Sequence, residues 1–217
     1  MNVTTARRGG LLSTERRTQP GPDPLPLSQR RREALHLDIA RAAVTLFTSR
    51  GVTATTGEHI AQAVGISSRT LWRHFPRKES CVRPLLTAGL DAAVAALEHW
   101  PANIRLVAYL ESLQEHPALA TPDPAVLDLL RLARTDPDLR AVWLQAHDDA
   151  LPVIAGLLAR RSGGRPDDLD VQVHAAIVNS ALRVGAENFA LHSASTCPTA
   201  TPHLLRALRL AVQGLPY

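Results

Sequence analysis

Between residues 56 and 78 the sequence gathers side chains that can donate hydrogen bonds from one surface: Thr56, Ser67, Ser68, Arg69, Thr70, Trp72, Arg73, His74 and Lys78. Hydroxyls, guanidinium groups, an indole, an imidazole and an ammonium are donors or mixed donors. No acidic residue interrupts the run from Ser67 to His74. Such a surface suits phosphate oxygens and the acceptor-bearing edges of bases in a DNA groove. A plain helical hairpin with a polar outer face would use the same residue types, so the surrounding spacing has to decide.

That spacing fits two short helices meeting at a sharp turn. Ala61 supplies the small residue needed where they cross, and Gly65 supplies a residue that tolerates left-handed backbone at the turn. Ile60, Val64, Ile66 and Leu71 fall where inward apolar residues are required. Ser67 can cap the second helix, predicted from Ser67 to about Phe75 and ended by Pro76, so that its first residues would face a major groove. The first, from about Thr56 to Val64, opens on Thr55 with Glu58 three residues later, the spacing of a capping box.

A longer helix precedes them. Leu35, Ile39, Ala42, Ala43, Leu46 and Phe47 recur at helical period from Ser28 to Arg50, and Gly51 follows as a stop. Residues 1–28, with Pro20-Gly21-Pro22-Asp23-Pro24-Leu25-Pro26, cannot sustain a helix and are expected to form a disordered basic tail. Arg7, Arg8, Arg16 and Arg17 could enter a minor groove, or the tail could be a simple extension. Downstream only helices are predicted, at about 78–99, 103–116, 124–134, 137–160, 169–192 and 202–214. No segment alternates at period two, so the expected class is all-α.

Charge divides along the same line. Residues 1–83 carry 14 Lys/Arg against 6 Asp/Glu, whereas residues 84–217 carry 10 against 14. A basic segment joined to an acidic remainder fits one polyanion-binding domain, here 29–77, and a second domain over 78–217 with another task. No unbroken apolar run of membrane-span length occurs, no leader-like hydrophobic region follows Arg7 and Arg8, and a cytoplasmic chain is expected. Cys81 and Cys197 are then expected to be free thiols, Cys81 being either inert or a redox switch.

The segment Phe47 to Ser80 closely resembles the tetracycline-repressor (TetR) family. The resemblance rests on Gly51-Val52-Thr53-Ala54-Thr55-Thr56, Ala63-Val64-Gly65-Ile66-Ser67 and Thr70-Leu71-Trp72-Arg73-His74-Phe75-Pro76-Arg77-Lys78-Glu79. It implies an all-α homodimer with a three-helix DNA-binding domain and a helical C-terminal domain that binds a small-molecule effector. Repression of a palindromic operator, relieved by that effector, is the implied function, with activation as the alternative. By the same resemblance Ser67, Ser68, Arg69 and Thr70 open the recognition helix, Trp72 stands where relatives carry Tyr, and Trp72, Arg73 and His74 contact backbone or bases. Thr56 would touch a phosphate. Lys78, the single lysine, would contact another at the start of helix four, where backbone amides also favour an anion. Two departures stand out: Gly57, expected to loosen the start of helix two, and Pro84, expected to kink helix four.

The second domain is less explicit. Trp100, Tyr109, Trp143, His147, Asn188 and Phe189 are the candidate effector-pocket residues, since aromatics with a few polar groups line most small-molecule sites. Core packing would use the same residues. The last two helices are expected to form the dimer interface through Ile177, Ala181, Leu182, Leu204, Leu208 and Val212. Nine histidines form no tight pair, so neither a metal site nor a cofactor is expected. The rivals to a regulator are an enzyme, for which no nucleophile, phosphate-loop or metal motif is seen, and a helix-turn-helix module that binds proteins instead of DNA.

Overall fold

The computed structural model describes residues 26–112, 123–192 and 200–213, and their regular elements are all helical. The first helix, α1, spans Leu27–Arg50 and is closed by Gly51, whose φ of 88° only glycine adopts readily and whose N–H reaches the Phe47 carbonyl. Leu27 and Ser28, assigned to the tail by the sequence, belong to this helix. Residues 1–25 lie outside the described residues, and with them the tail arginines; so does Cys197.

Helix α2 (Gly57–Ala63) and α3 (Ser68–His74) follow, then a 3₁₀ turn at Glu79–Val82 and α4 at Arg83–Glu98. Pro84 therefore does not kink the middle of a helix. It sits in the first turn of α4, where its missing N–H would have had no intrahelical partner. Helix α5 is Leu106–Ser112, α6 Pro124–Leu132, α7 Pro137–Ser162, α8 Leu169–His192 and α9 Thr201–Gln213. Asp123 and Asp136 cap α6 and α7, each followed by a proline at the first helical position. Helix α7 continues through Pro152 and ends at Gly163, which is left-handed at φ 72°.

Among the described residues, two apolar cores hold the bundle. One runs from Ile39, Ala43 and Phe47 of α1 through Ile60 and Leu71 to Cys81, Val82 and Leu86, and on to Leu129 of α6 and Leu139 and Trp143 of α7. Its apolar packing is thus continuous across residues 77 and 78. A fully buried leucine such as Leu71 contributes about 1.5–3 kcal/mol through burial. The other gathers Tyr109, Ile154, Ala155, Val171, Ala175, Val178, Ala181, Leu205 and Leu208. Glu79–Glu98 is long and apolar enough to cross a membrane by length and composition alone. Its inward residues Cys81, Val82, Leu85, Leu86 and Leu90 instead pack in the first core.

Helices α8 and α9 cross closely at Gly185, where an added Cβ would sit 3.0 Å from the Leu204 Cα. The expected dimer-interface set splits here. Ala181 and Leu208 are buried within the chain's own second core, because their faces of α8 and α9 point at α7 and α5. Ile177 and Val212 are exposed, together with Val173, Val184, Leu191 and Leu210.

Candidate nucleic-acid interface

Local hydrogen bonds fix the frame of α2 and α3. Thr56 caps α2: its hydroxyl accepts from the His59 N–H, and its own N–H donates to His59 Nδ1, a capping box with histidine in the reciprocal position. The box lies one residue later than the Thr55–Glu58 pair expected from the sequence. Thr55 is buried instead, and its hydroxyl donates to the carbonyls of Leu46 and Gly51, closing the α1–α2 loop. Glu58 is fully exposed, its carboxyl held below the usual range by its own backbone N–H and the Thr56 hydroxyl. Gly65 is left-handed at φ 71°, as a sharp turn requires, and Ser67 caps α3 by accepting from the Thr70 N–H at 3.1 Å.

The outward face of α3 carries Arg69, Trp72 and Arg73. Neither arginine has a hydrogen bond or ion pair among the described residues, so both guanidinium groups are available to a phosphate or a base edge. Ser68 and Thr70 are half-buried, and the Thr70 and Ser67 hydroxyls lie 2.9 Å apart. Trp72 is 42% exposed and lies across Gly57 at the start of α2. Gly57 and Trp72, the two unusual residues of this unit, therefore meet.

His74 and Lys78 have partners within the chain. His74 Nδ1 is 3.1 Å from His36 Nε2, tying the end of α3 to α1, and both imidazoles are held below their ordinary pKa, first by burial. Lys78 donates to the carbonyls of Val52 at 2.6 Å and Thr55 at 2.9 Å, with Glu79 at 3.8 Å. Two of its three N–H groups thus anchor the loop that presents Thr56. Sequence reasoning saw a charge at a helix start and missed this clamp, because its acceptors are backbone carbonyls more than twenty residues away.

The six effector candidates fall into separate groups. Trp100 and Tyr109 lie with α4 and α5: the Trp100 indole donates to the Ile104 carbonyl, and the Arg161 guanidinium stacks 3.5 Å from its ring centre. A cavity of about 270 Å³ opens beside Trp100 and Arg161, and Tyr109 does not line it. The Tyr109 hydroxyl donates to the Ala96 carbonyl. Asn188 is 2.9 Å from His203 Nδ1, and the Phe189 ring faces the same imidazole. Trp143 and His147 form the third group, their rings edge to face at 4.2 Å.

Around that third group lies a polar network the sequence did not reveal. Glu187 of α8 accepts from the Trp143 indole at 2.7 Å, from Arg140 at 2.6 Å and from Arg183 at 3.2 Å. Burial alone would raise its pKa, but these donors and charges prevail and hold the carboxyl below its ordinary value. His147 is 4% exposed. The Asn179 amide N–H₂ donates to the His147 carbonyl, so its oxygen faces Nδ1, which must carry the proton. Nε2 is left as a buried acceptor with no partner among the described residues, and burial lowers the pKa of the ring. The Cys81 thiol is buried and pushed up to about 12 by burial and then by Glu79, which disfavours the reactive thiolate that a redox switch needs. No cluster of three or more metal-ligating side chains occurs among the described residues.

Comparison with known proteins matches this architecture at both ends. Residues 39–85 match the family model described as bacterial regulatory proteins of the TetR family, and residues 119–216 match the MftR C-terminal domain. The transcriptional regulator TcmR of Streptomyces glaucescens is 30% identical over 159 residues, 70% of each chain. The transcriptional repressor KstR2 of Rhodococcus jostii is 44% identical over 72 residues, 33% of each chain. A transcriptional regulator of Pseudomonas aeruginosa shares the fold with TM-score 0.53 at 19% identity, over 87% of this chain and 91% of that one. A TetR-family regulator of Mesorhizobium loti gives 0.52 at 23%, over 84% and 97%. The chain belongs to the TetR family of bacterial transcriptional regulators.

Proposed function

We propose that this regulator acts in the cytoplasm as a homodimeric repressor, with α3 of each copy in a major groove of a palindromic operator. The observation that carries the reading is the outward face of α3, beyond its capping Ser67, where Arg69 and Arg73 flank the exposed Trp72 and have no hydrogen-bond or ion-pair partner among the described residues. Ser68 and Thr70 supply shorter donors, while Thr56 and the third N–H of Lys78 contribute at the flanking phosphates. The basic balance of residues 1–83 adds non-specific attraction. Residues 29–77 form the reading head and residues 78–217 the regulatory and dimerising part, joined by continuous packing. Repression is favoured over activation by the likeness of a 72-residue stretch to KstR2, a repressor.

A second copy covers the exposed stripe Val173, Ile177, Val184 and Leu191 on α8 with Leu210 and Val212 on α9. These α8 residues recur at helical spacing and leave a solvent-facing apolar strip unusual for a helix surface. A small amphipathic effector binds the C-terminal part, with Trp143 and His147 between α7 and α8 as its nearest polar and aromatic candidates, and shifts the protein away from its DNA-competent arrangement. A tenfold loss of operator affinity requires only about 1.4 kcal/mol of coupling. The direct test is selection of duplexes from a random pool by the purified protein, followed by footprinting. Enrichment of an inverted repeat supports the proposal, and no enrichment rejects it.

A further inference from the structure

We infer that Gly57 and Trp72 act as one positioning unit, in which the indole wedges the start of α2 against α3 and so sets how Arg69 and Arg73 meet DNA. The inference rests on the DNA-binding reading above. Glycine disfavours a helix relative to alanine, and Gly57 opens α2 without the left-handed backbone that would demand it. Its reason is space. A Cβ at Gly57 would lie 2.0 Å from Trp72 Cζ2, 2.3 Å from Cη2 and 3.0 Å from Cε2, so the six-membered ring of the indole occupies the volume a side chain would take. Neighbouring real atoms do not approach that closely, and the ring must swing away if Gly57 gains a methyl.

The position matters because both partners border the reading surface. Gly57 directly follows Thr56, the cap of α2, while Trp72 lies between Arg69 and Arg73 on α3. Helix α3 has only two turns and buries only Leu71 deeply, so little else on its outer side fixes its rotation against α2. The indole bridges the two helices where the turn at Gly65 cannot. The wedge is a positioning device, distinct from any contact the indole edge makes with a phosphate.

The test is a cycle of Gly57→Ala and Trp72→Phe, the second removing the fused ring carbons that crowd Gly57. Binding is read on two probes: the duplex enriched by the wild-type protein from a random pool, and the unenriched pool itself. Gly57→Ala alone should cost about tenfold on the selected duplex and little on the pool, with its thermal midpoint kept. In the Trp72→Phe background, Gly57→Ala should change binding by no more than about twofold. Rescue of that kind does not follow from a general loss of folding, which would lower the midpoint and affect both probes alike. The inference is overturned if Gly57→Ala binds the selected duplex like wild type, or if it costs as much in the Trp72→Phe background as alone. Failure of the wild-type protein to enrich any duplex removes the DNA-binding reading and this inference with it.

Discussion

The reading head and the α7–α8 layer are both built from polar side chains on helices, yet they are held in opposite ways. In the head the capping bonds are local: Thr56 with His59, and Ser67 with Thr70, all within three residues. In the α7–α8 layer the bonds span 32 to 47 residues, linking Arg140 and Trp143 to Glu187 and His147 to Asn179. Locally capped helices can leave their outward donors free, which is what a surface for DNA needs. A long-range, partly buried network commits its donors to one another and stabilises one arrangement of two helices, at the cost of leaving His147 Nε2 without a partner among the described residues. The head is thus built to present, and the layer behind it to hold one arrangement of two helices.

The largest effect should come from breaking the second region at its tightest point. Gly185→Leu would force a side chain against the Leu204 backbone, and overpacking of this kind costs about 1–3 kcal/mol. The expected outcome is a lower thermal midpoint and a shift from dimer toward monomer in sedimentation. A variant as stable and as dimeric as wild type would show that α8 and α9 can separate without loss.

Replacing Arg69 probes the head with little effect on fold. Arg69→Ala should cost about 1–3 kcal/mol on the selected duplex and relax preference at one base position, with thermal stability unchanged. Lys78→Ala should behave differently. Its ammonium joins the Val52 and Thr55 carbonyls, and hydrogen bonds from charged groups contribute about 1.5–3 kcal/mol, less here because the side chain is partly exposed. That variant should lose stability as well as affinity on every sequence. A Lys78→Ala protein with unchanged melting and only a flatter salt dependence would mean the clamp contributes nothing.

The smallest effect is that of pH. His36, His74 and His147 all have pKa values held below the ordinary 6.5 in the folded chain. The unfolded chain therefore takes up protons first as pH falls. Stability is fully present above about pH 6.5 and declines below it. The thermal midpoint should fall between about pH 7.5 and about pH 5.5, and His147→Gln, less stable at the upper pH, should show a shallower fall. An equal fall in the variant would assign the effect to the His36–His74 pair. Glu187 enters only at lower pH, since its depressed pKa adds stability that is lost as the carboxylate protonates.

The same contrast explains what the sequence disclosed. The all-α class, α1 to Gly51, the Gly65 turn and the Ser67 cap were readable because each depends on residues a few positions apart. The capping box was misplaced by one residue, since a histidine can do the work of a glutamate and two adjacent threonines offer the same hydroxyl. Pro84 was misread because a short 3₁₀ turn displaced the helix start. Gly57 reads as a helix-weakening residue from its neighbours alone, and only the packing of Trp72 over it gives it a reason. Arg140 and Asn179 carried no local signal, and the i,i+4 spacing of Arg183 and Glu187 says nothing of their α7 partners, as a helix surface normally holds such residues in solvent. Exposure of Val173 and Ile177, against burial of Ala181 and Leu208, likewise depends on how α8 meets α9.

Whether α3 of a dimer reads a two-fold operator is measured by duplex selection followed by sedimentation of the enriched complex, which reports sequence symmetry and copy number at once. The prediction is an inverted repeat bound by two copies, or an even number of copies, with half-sites lying on one face of the duplex about a helical turn apart or a multiple of it. Arg69→Ala should lose the base preference while remaining dimeric. An enriched sequence without two-fold symmetry, bound by a single copy whose preference survives Arg69→Ala, would contradict it.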